Sequence, residues 1–592
     1  MNVEKHRYIM HVKKKNKAAV KFFLENPNCL VDLCDSDGDT VLHSAASRCS
    51  PEIIKMILQR DKSLLNKQNK REEAPLHCAC EEKNEAAMKF LLENLDCLVN
   101  LCDSFGNTVL HRAACESSPK VIEMILRRDK SLINKQNERG EAPLHCACRW
   151  KNEAAAKFLL ENPDCLMILR RDKSLLNKQN ERGEAPIHCA CRWKNESAVK
   201  FLLENPYCLV DLCDSDGDTV LHSAASSCSP EIIEMILQRD KSLLNKQNKR
   251  EEAPLHCACE GKNEAAAKFL LENPDCLVNL CDSFGNTVLH TAARNCYPEV
   301  IEMILRRDKS LLNKQNERGE APLHLACEEE NEAAVKFLLD CLMDLCDSDG
   351  DTVLHIAARC CSPEVIEMIM RRDKSLLNKQ NKRDEAPLHY ACKENNEAAV
   401  KFFLENPDCL VDLCDSDGDT VLHSAAGHCS PEVIEMILRR EKSLLNKQNI
   451  HGVAPLHIAF RYYNTKALNY LFSHSECVTD ICDTDTVCVL YVIIELPLSY
   501  DGLYYRDEIK IILQHENALI NKQNNVGETP LHKMIQYRRK EEVKLLLEQI
   551  DCSVNICDKS NQTALYFAVL TYNFELVEII LQHENVLINQ QN

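Results

Sequence analysis

The sequence lacks any apolar segment long enough to cross a membrane as a helix. Its longest apolar run, from Val487 to Leu498, is interrupted by Glu495 and Pro497 and falls well short of the roughly 20 residues that a bilayer requires. The first residues, MNVEKHRYIMHVKKK, also lack the apolar core of a secretory signal. We therefore expect a soluble chain that is neither secreted nor inserted in a membrane.

The chain also lacks an excess of basic residues. It has 91 Asp and Glu residues against 72 Lys and Arg, which gives a formal net charge of −19. Because a phosphate backbone is bound by clustered Lys and Arg, nucleic acid is not an expected partner. No glycine-rich phosphate loop, unique Cys/His pair or pair of carboxylates stands apart from the rest of the sequence. We therefore expect neither catalysis nor a cofactor.

The chain does have repetition. At sixteen equivalent positions a Leu or Ile is followed by His or Tyr, and twelve of the fifteen gaps between these pairs are 34 residues. Fourteen of the 21 histidines occupy this position: His43, His77, His111, His145, His188, His222, His256, His290, His324, His355, His389, His423, His457 and His532. A period in the low thirties is typical of stacked helical repeats, in which each unit buries its apolar face on the next.

The 35 cysteines follow the same period, as small apolar residues do. A free cysteine packs as a small hydrophobic residue, so this placement favours a reducing compartment, the cytoplasm, over a disulfide framework. His77, Cys78 and Cys80 are a conceivable zinc set, since His77 and Cys80 share a helix face. The same trio recurs in several units without a second pair of cysteines, which favours packing and no bound metal.

Two kinds of unit alternate, so the sequence period is 68 residues. Type A units, such as 36–69, have a short helix at their repeated Leu-His and then Ser50-Pro51, which predicts an N-cap and the first position of a second helix. Type B units, such as 70–103, have a corner around Asn84, which is predicted either to cap the second helix or to adopt a left-handed conformation. A tight turn at Asp37-Gly38 separates successive units.

These motifs resemble the ankyrin repeat. The resemblance rests on the turn residues Asp35, Gly38 and Thr40, on the helix start at Leu42-His43, and on a complete Thr-Pro-Leu-His tetrapeptide that ends at His532. It covers nearly the whole chain. It implies an all-α solenoid of about 16–17 helix-turn-helix units, with short β-hairpin-like turns between them.

The resemblance also implies roles for repeated residues. Each repeated histidine is expected to bond to the backbone of its own turn and the neighbouring one. The acidic loop from Asp35 to Asp39 is interpreted as a hairpin, because it does not have the spacing of a calcium-binding EF-hand. The contact face is expected to include the hairpin tip from Lys70 to Glu73 and first-helix residues such as Arg112.

Breaks in the repetition set the expected domain boundaries. We predict a degenerate capping unit over 1–35, regular repeats over 36–166, an irregular junction over 167–184 left by a partial-unit deletion, regular repeats over 185–485, a degenerate repeat with an inserted loop over 486–525, and further repeats over 526–592. The junction corresponds to the gap of 43 residues between His145 and His188.

Two places in these breaks are candidate protein-binding sites. The two tryptophans of the chain form the pairs Arg149-Trp150 and Arg192-Trp193, in the type B units that flank the junction, and Arg and Trp are typical interface residues. The alternative is a neutral surface pair copied by duplication. The inserted loop has a second aromatic set, for which random drift is the alternative: Tyr500, Leu503, Tyr504 and Tyr505.

The functional hypothesis is a monomeric intracellular scaffold or adaptor that binds other proteins on a preformed concave surface. The alternative is that the chain is the soluble ankyrin portion of a larger membrane channel or signalling protein. The chain stops where the next turn and helix are expected to start, which favours that alternative.

Overall fold

The computed structural model describes residues 31–161, 174–295, 297–474, 476–478 and 517–583, and the single residues 491, 494, 509 and 586. The chain divides into two compact units, Met1–Leu311 and Leu312–Asn592, each of which is described by itself. The inserted loop and most of the degenerate units at 1–35 and 486–525 lie outside the described residues.

In Met1–Leu311, helices alternate between a first and a second helix of each repeat. The first helices are Val41–Arg48, Pro75–Glu81, Val109–Glu116, Pro143–Arg149, Pro186–Arg192, Val220–Ser227, Pro254–Glu260 and Val288–Asn295. The second helices are Pro51–Arg60, Glu85–Glu93, Pro119–Arg128, Glu153–Glu161, Glu196–Glu204, Pro230–Arg239, Glu264–Glu272 and Pro298–Arg307. Short 3-10 helices follow at Lys62–Asn66, Lys130–Asn134, Lys241–Asn245 and Lys309–Asn313, and a four-residue α-helix lies at Ser174–Asn177.

The same alternation continues in Leu312–Asn592. Its first helices are Pro322–Glu328, Val353–Cys360, Pro387–Lys393, Val421–His428, Pro455–Arg461, Pro530–Gln536 and Ala564–Leu570. Its second helices are Glu332–Leu338, Pro363–Arg372, Glu397–Glu405, Pro431–Arg440, Thr465–Phe472, Lys540–Leu547 and Phe574–Leu581. Its 3-10 helices are Lys374–Asn378, Lys442–Asn446 and Asn517–Asn521. The predicted all-α repeat architecture is confirmed.

The core forms between the two helix layers of successive units. In Pro51–Arg60 the apolar residues recur at helical spacing, and Ile53, Ile54 and Ile57 are fully buried. Pro51 occupies the first helical position, where it removes no intrahelical bond. Ser50 occupies the N-cap position with extended backbone, but its side chain accepts no capping bond. The serine therefore marks where the helix begins without capping it.

The corner of each type B unit uses two residues for two tasks. Lys83 adopts the left-handed conformation, with φ of 56°, while Asn84 caps the second helix by accepting a bond from the Ala87 backbone N–H. From the sequence, Asn84 could cap the second helix or adopt the left-handed conformation, and in the structure it caps the helix. The chain therefore turns on a non-glycine residue, in a conformation that side chains disfavour by roughly 1–2 kcal/mol.

Hairpin-like turns join the units, as predicted. Antiparallel bridges close them from Cys34 to Thr40, and at the equivalent positions of later type A units. Gly38 has φ of 81°, and a Cβ atom added there would lie 2.8 Å from the backbone nitrogen of Lys70 in the next hairpin. Glycine is needed at this tip because successive hairpins approach each other so closely.

Candidate functional site

The repeated histidines join neighbouring hairpins. The backbone N–H of Thr40 donates to Nδ1 of His43 at 3.1 Å, so the ring proton lies on Nε2, which donates to the backbone carbonyl of Glu73 at 2.8 Å. The same pair of bonds holds His111 and His222 in later type A units. Each of these three rings therefore connects its own unit to the next one, as the resemblance implied, whereas Nε2 of His256, His324 and His389 in type B units has no hydrogen-bond partner among the described residues.

These imidazoles are held in the neutral form. Burial lowers the pKa of His77, His111, His145, His188 and His389 to about 4, although their hydrogen bonds and nearby carboxylates act in the opposite direction. A buried neutral ring that bonds to the backbone through both nitrogens, as those of His111 and His145 do, is a poor general base.

The conceivable zinc set is engaged in the same way. His77 accepts from the Ala74 N–H at 3.1 Å, and its Nε2 lies 3.3 Å from the carbonyl of Asn107. Burial raises the pKa of the Cys80 thiol to about 12 and raises that of Cys78 further, so neither thiol loses its proton readily to become a thiolate ligand. Over the described parts of the chain, no group of three or more His, Cys, Asp or Glu side chains is arranged to hold a metal ion.

The acidic loop is a hairpin. A carboxylate oxygen of Asp35 accepts the backbone N–H groups of Asp37 and Asp39, each at 3.0 Å. Asp39 in turn accepts from the side-chain amide of Asn69 at 2.7 Å, in the next hairpin. These bonds direct the carboxylate oxygens at groups of the protein, which supports the hairpin interpretation over a calcium loop.

Several polar residues join the units in ways that the sequence patterns did not indicate. The Asn84 amide donates to the carbonyls of Ala46 and Cys49 in the preceding unit, each at 2.9 Å. Asn66, at the end of a 3-10 helix, both donates to and accepts from the loop of the following unit. Arg128 donates to four carbonyls at the end of the preceding second helix. Their recurrence every 68 residues was the signal available in the sequence.

Arg149 and Trp150 end the first helix of their unit and line a groove of about 230 Å³. Arg149 is held by an ion pair with the buried carboxylate of Glu141. Trp150 is 59% exposed, and it shares the groove with Phe105, a hairpin-tip residue that is 52% exposed. Two aromatic side chains that are more than half exposed therefore line one small opening.

Arg192 and Trp193 repeat this arrangement in the next unit. Arg192 bonds Glu184 at 2.6 Å and Asp214 at 3.2 Å, and Trp193 is 49% exposed. Their helix, Pro186–Arg192, packs directly on Pro143–Arg149, with no type A helix between the two. The two Arg-Trp pairs thus lie at the ends of adjacent helices.

Regular inter-unit bonds connect these two type B units. The Glu181 N–H donates to the Arg139 carbonyl at 2.9 Å, as Lys70 does to Asp37 in the first hairpin pair. His145 reaches the Glu184 carbonyl at 3.1 Å. Residues 162–173 lie outside the described residues, so the irregular junction over 167–184 stays a prediction there.

A third member of this aromatic position lies in Leu312–Asn592. Arg461 and Tyr462 end a type B first helix, as Arg149 and Trp150 do, and Tyr462 is 52% exposed. Its ring lies 4.5 Å from that of His428, centroid to centroid. Alignment of the type B units would have found it. The other candidates, Tyr500, Leu503, Tyr504 and Tyr505, fall outside the described residues.

The predicted contact residues Glu73 and Arg112 also line grooves, but they bond to each other. Arg112 donates to Glu73 at 3.1 Å and to Asp103 at 2.8 Å, while both carboxylates are buried. Burial raises the pKa of Glu73, since desolvation disfavours its charged form. These ion pairs shape the groove wall more than they offer free charges to a ligand.

Comparison with known proteins identifies the family. A family model that describes three consecutive ankyrin repeats matches this chain in eight places: residues 8–101, 95–168, 161–246, 240–314, 308–381, 373–444, 388–485 and 501–592. The chain belongs to the ankyrin-repeat family. Ankyrin repeats are in general protein-interaction modules. Within the described residues of this ankyrin chain, no helix is long and apolar enough to cross a membrane.

Similar curated proteins share a limited stretch of this ankyrin chain. Inversin from dog is 28% identical over 137 residues, which are 22% of this chain and 13% of inversin. The phosphocholine transferase AnkX from Legionella pneumophila is 31% identical over 124 residues, 20% of this chain and 13% of AnkX. The chicken NF-kappa-B p105 subunit is 29% identical over 134 residues, 22% of this chain and 14% of p105. The aligned stretch thus spans about one seventh of each relative's length or less.

Proposed function

We propose that this ankyrin chain is a monomeric, cytoplasmic scaffold or adaptor that binds other proteins without catalysis. The observation that supports it most is the pair of adjacent type B helices with exposed Trp150 and Trp193. Exposed tryptophans beside arginines are typical of residues that dominate interface energies. The repeated histidines His43, His111 and His222 bond to the backbone through both ring nitrogens, and burial lowers the pKa of each.

Affinity capture with the whole chain tests this proposal. Capture with the wild type is compared with a Trp150→Ala/Trp193→Ala variant and with a variant that lacks residues 498–505. Tyr297→Ala is a matched control, because Tyr297 is 55% exposed but lies outside the Arg-Trp helices. We expect at least one partner to be lost from the double variant and kept by the control. Retention of every partner by both site variants would refute these two sites.

The alternative function is an interaction segment of a larger membrane channel or signalling protein. It is favoured by the lengths of the relatives, in each of which the matched stretch is a small part of a longer chain. Sequencing the full-length transcript distinguishes the two. An open reading frame that continues into membrane helices or another domain would favour this alternative over the separate adaptor.

A further inference from the structure

The groove between Phe105 and Trp150 has the size of a site for one side chain. Its volume of about 230 Å³ is below the roughly 300–1,000 Å³ of pockets that hold small molecules. Phe105 comes from a hairpin tip and Trp150 from the end of the next first helix, and both line this opening. The shape fits an extended peptide that inserts one apolar residue.

The charge of this groove differs from that of its equivalent two units earlier. Three arginines, Arg112, Arg139 and Arg149, line the Phe105–Trp150 groove together with a single carboxylate, Glu141. Arg112 is paired with Glu73 and Asp103, and Arg149 is paired with Glu141, while Arg139 is exposed. The equivalent groove around Asp37 has about the same volume, 220 Å³, but two arginines are set there against five carboxylates: Asp37, Asp39, Glu73, Glu81 and Glu82.

The contrast arises from five differences at equivalent positions: Phe105 replaces Asp37, Asn107 replaces Asp39, Arg112 replaces Ser44, Arg149 replaces Glu81 and Trp150 replaces Glu82. Four of these changes remove a carboxylate, and two of them supply an aromatic ring. On a chain with a net charge of −19, the result is a groove with an apolar centre, one carboxylate in place of five, and an exposed arginine, Arg139, at its rim.

We infer that the Phe105–Trp150 groove binds an extended acidic peptide segment of a partner protein and takes up one of its apolar side chains. This inference rests on the proposed binding function and specifies the class of partner. Arg139, exposed at the hairpin tip, is placed to meet carboxylates beside the inserted residue. Arg149 keeps N–H donors beyond those that Glu141 takes, since a guanidinium has five. The acidic groove around Asp37 would repel the same peptide.

The two tryptophans make the test selective. In a Trp193→Phe variant, Trp150 is the sole tryptophan, so its emission reports on this groove alone. The probe is a synthetic peptide without aromatic residues, Ser-Glu-Glu-Leu-Glu-Glu-Ser, titrated at low salt. We expect the Trp150 emission to shift to shorter wavelength, because the inserted leucine displaces water from the ring. We expect binding to weaken as salt is added, because the charges are solvent-exposed.

Four comparisons separate the contributions of the groove. Replacing the peptide leucine by serine should weaken binding by about tenfold, as for loss of a buried interface anchor. Replacing the glutamates by lysines should abolish the shift. Arg139→Glu in the protein should weaken binding by about tenfold, by charge reversal. A chain in which Glu82→Trp is combined with Trp150→Phe and Trp193→Phe carries its reporter in the acidic groove, and should show no shift.

Equal shifts with the glutamate and lysine peptides, or no effect of Arg139→Glu, would overturn the inference. So would an equal shift of the reporter in the acidic groove, or no shift of Trp150 with the glutamate peptide. If capture of a protein partner still depends on Trp150 and Trp193 in that case, the binding function stands and only the partner class is wrong. If capture is also unchanged by the substitution of both tryptophans, the proposed binding site is wrong as well.

Discussion

At the scale of the residue, the repeated histidine is an ionisable group used for its neutral form. It needs one nitrogen as an acceptor and the other as a donor, and only the neutral ring offers both. In His43 the acceptor faces the Thr40 N–H and the donor faces the Glu73 carbonyl. A proton on Nδ1 would leave two donors facing each other. The hydrogen bonds and the burial therefore require the same charge state.

We predict that the free energy of unfolding falls as the pH is lowered from about 6.5 towards 4. Burial lowers the pKa of five of these histidines to about 4 in the folded chain, while the unfolded side chain titrates near 6.5. The unfolded state thus binds more protons in this range, so stability is fully present above pH 6.5 and is lost below it.

Each such histidine should contribute about 1 kcal/mol of this loss between about pH 6.5 and 5.5. Urea denaturation at closely spaced pH values, followed by far-UV circular dichroism, measures the effect. A midpoint that stays constant or rises as the pH falls through this range would contradict the assignment of neutral histidines.

At the scale of the element, the residue that caps the type B second helix also bonds this helix to the preceding repeat. The side-chain oxygen of Asn263 accepts from the Ala266 N–H, and its amide donates to the carbonyls of Ala225 at 3.0 Å and Cys228 at 2.7 Å. One side chain therefore both starts a helix and satisfies the carbonyls of the preceding corner. The start of the helix and its docking depend on each other.

We predict that Asn263→Ala destabilises the array by about 3 kcal/mol, about 1 for the cap and about 1 for each lost inter-unit bond. Asn263→Ser is the matched control, because serine keeps a capping oxygen but is too short to donate to the preceding unit. It should cost about 2 kcal/mol. Urea denaturation measures both variants, and equal losses from the two would show that capping contributes nothing.

At the scale of the whole molecule, each repeat inside a compact unit contacts its sequence neighbours in that unit, so that perturbations stay local. We predict that Asn263→Ala increases amide hydrogen exchange in residues 220–272 and leaves exchange in residues 41–93 unchanged. Hydrogen exchange followed by mass spectrometry at the level of peptides measures this. A uniform increase across Met1–Leu311 would instead indicate a single cooperative unit.

The sequence predicted the helix pairs and hairpins because their signals are local and recur in nearly every unit. Pro51 marks the first position of its helix and Gly38 marks its hairpin tip wherever the same motif returns. The neighbourhood of Trp150 and Trp193 was not predictable in this way. The two residues are 43 positions apart, and only the packing of their helices brings the pairs together. The groove charges likewise depend on which units stack.

The direct contact between two type B units has a consequence for how such an array changes. A hairpin bond from Glu181 to Arg139 and a histidine bond from His145 to Glu184 form there without an intervening type A unit. A type B unit thus accepts either kind of predecessor. Unequal recombination between near-identical segments can therefore remove part of a unit and still yield matching surfaces. Each such event brings different side chains side by side, so the chain can acquire a new groove without a single point mutation.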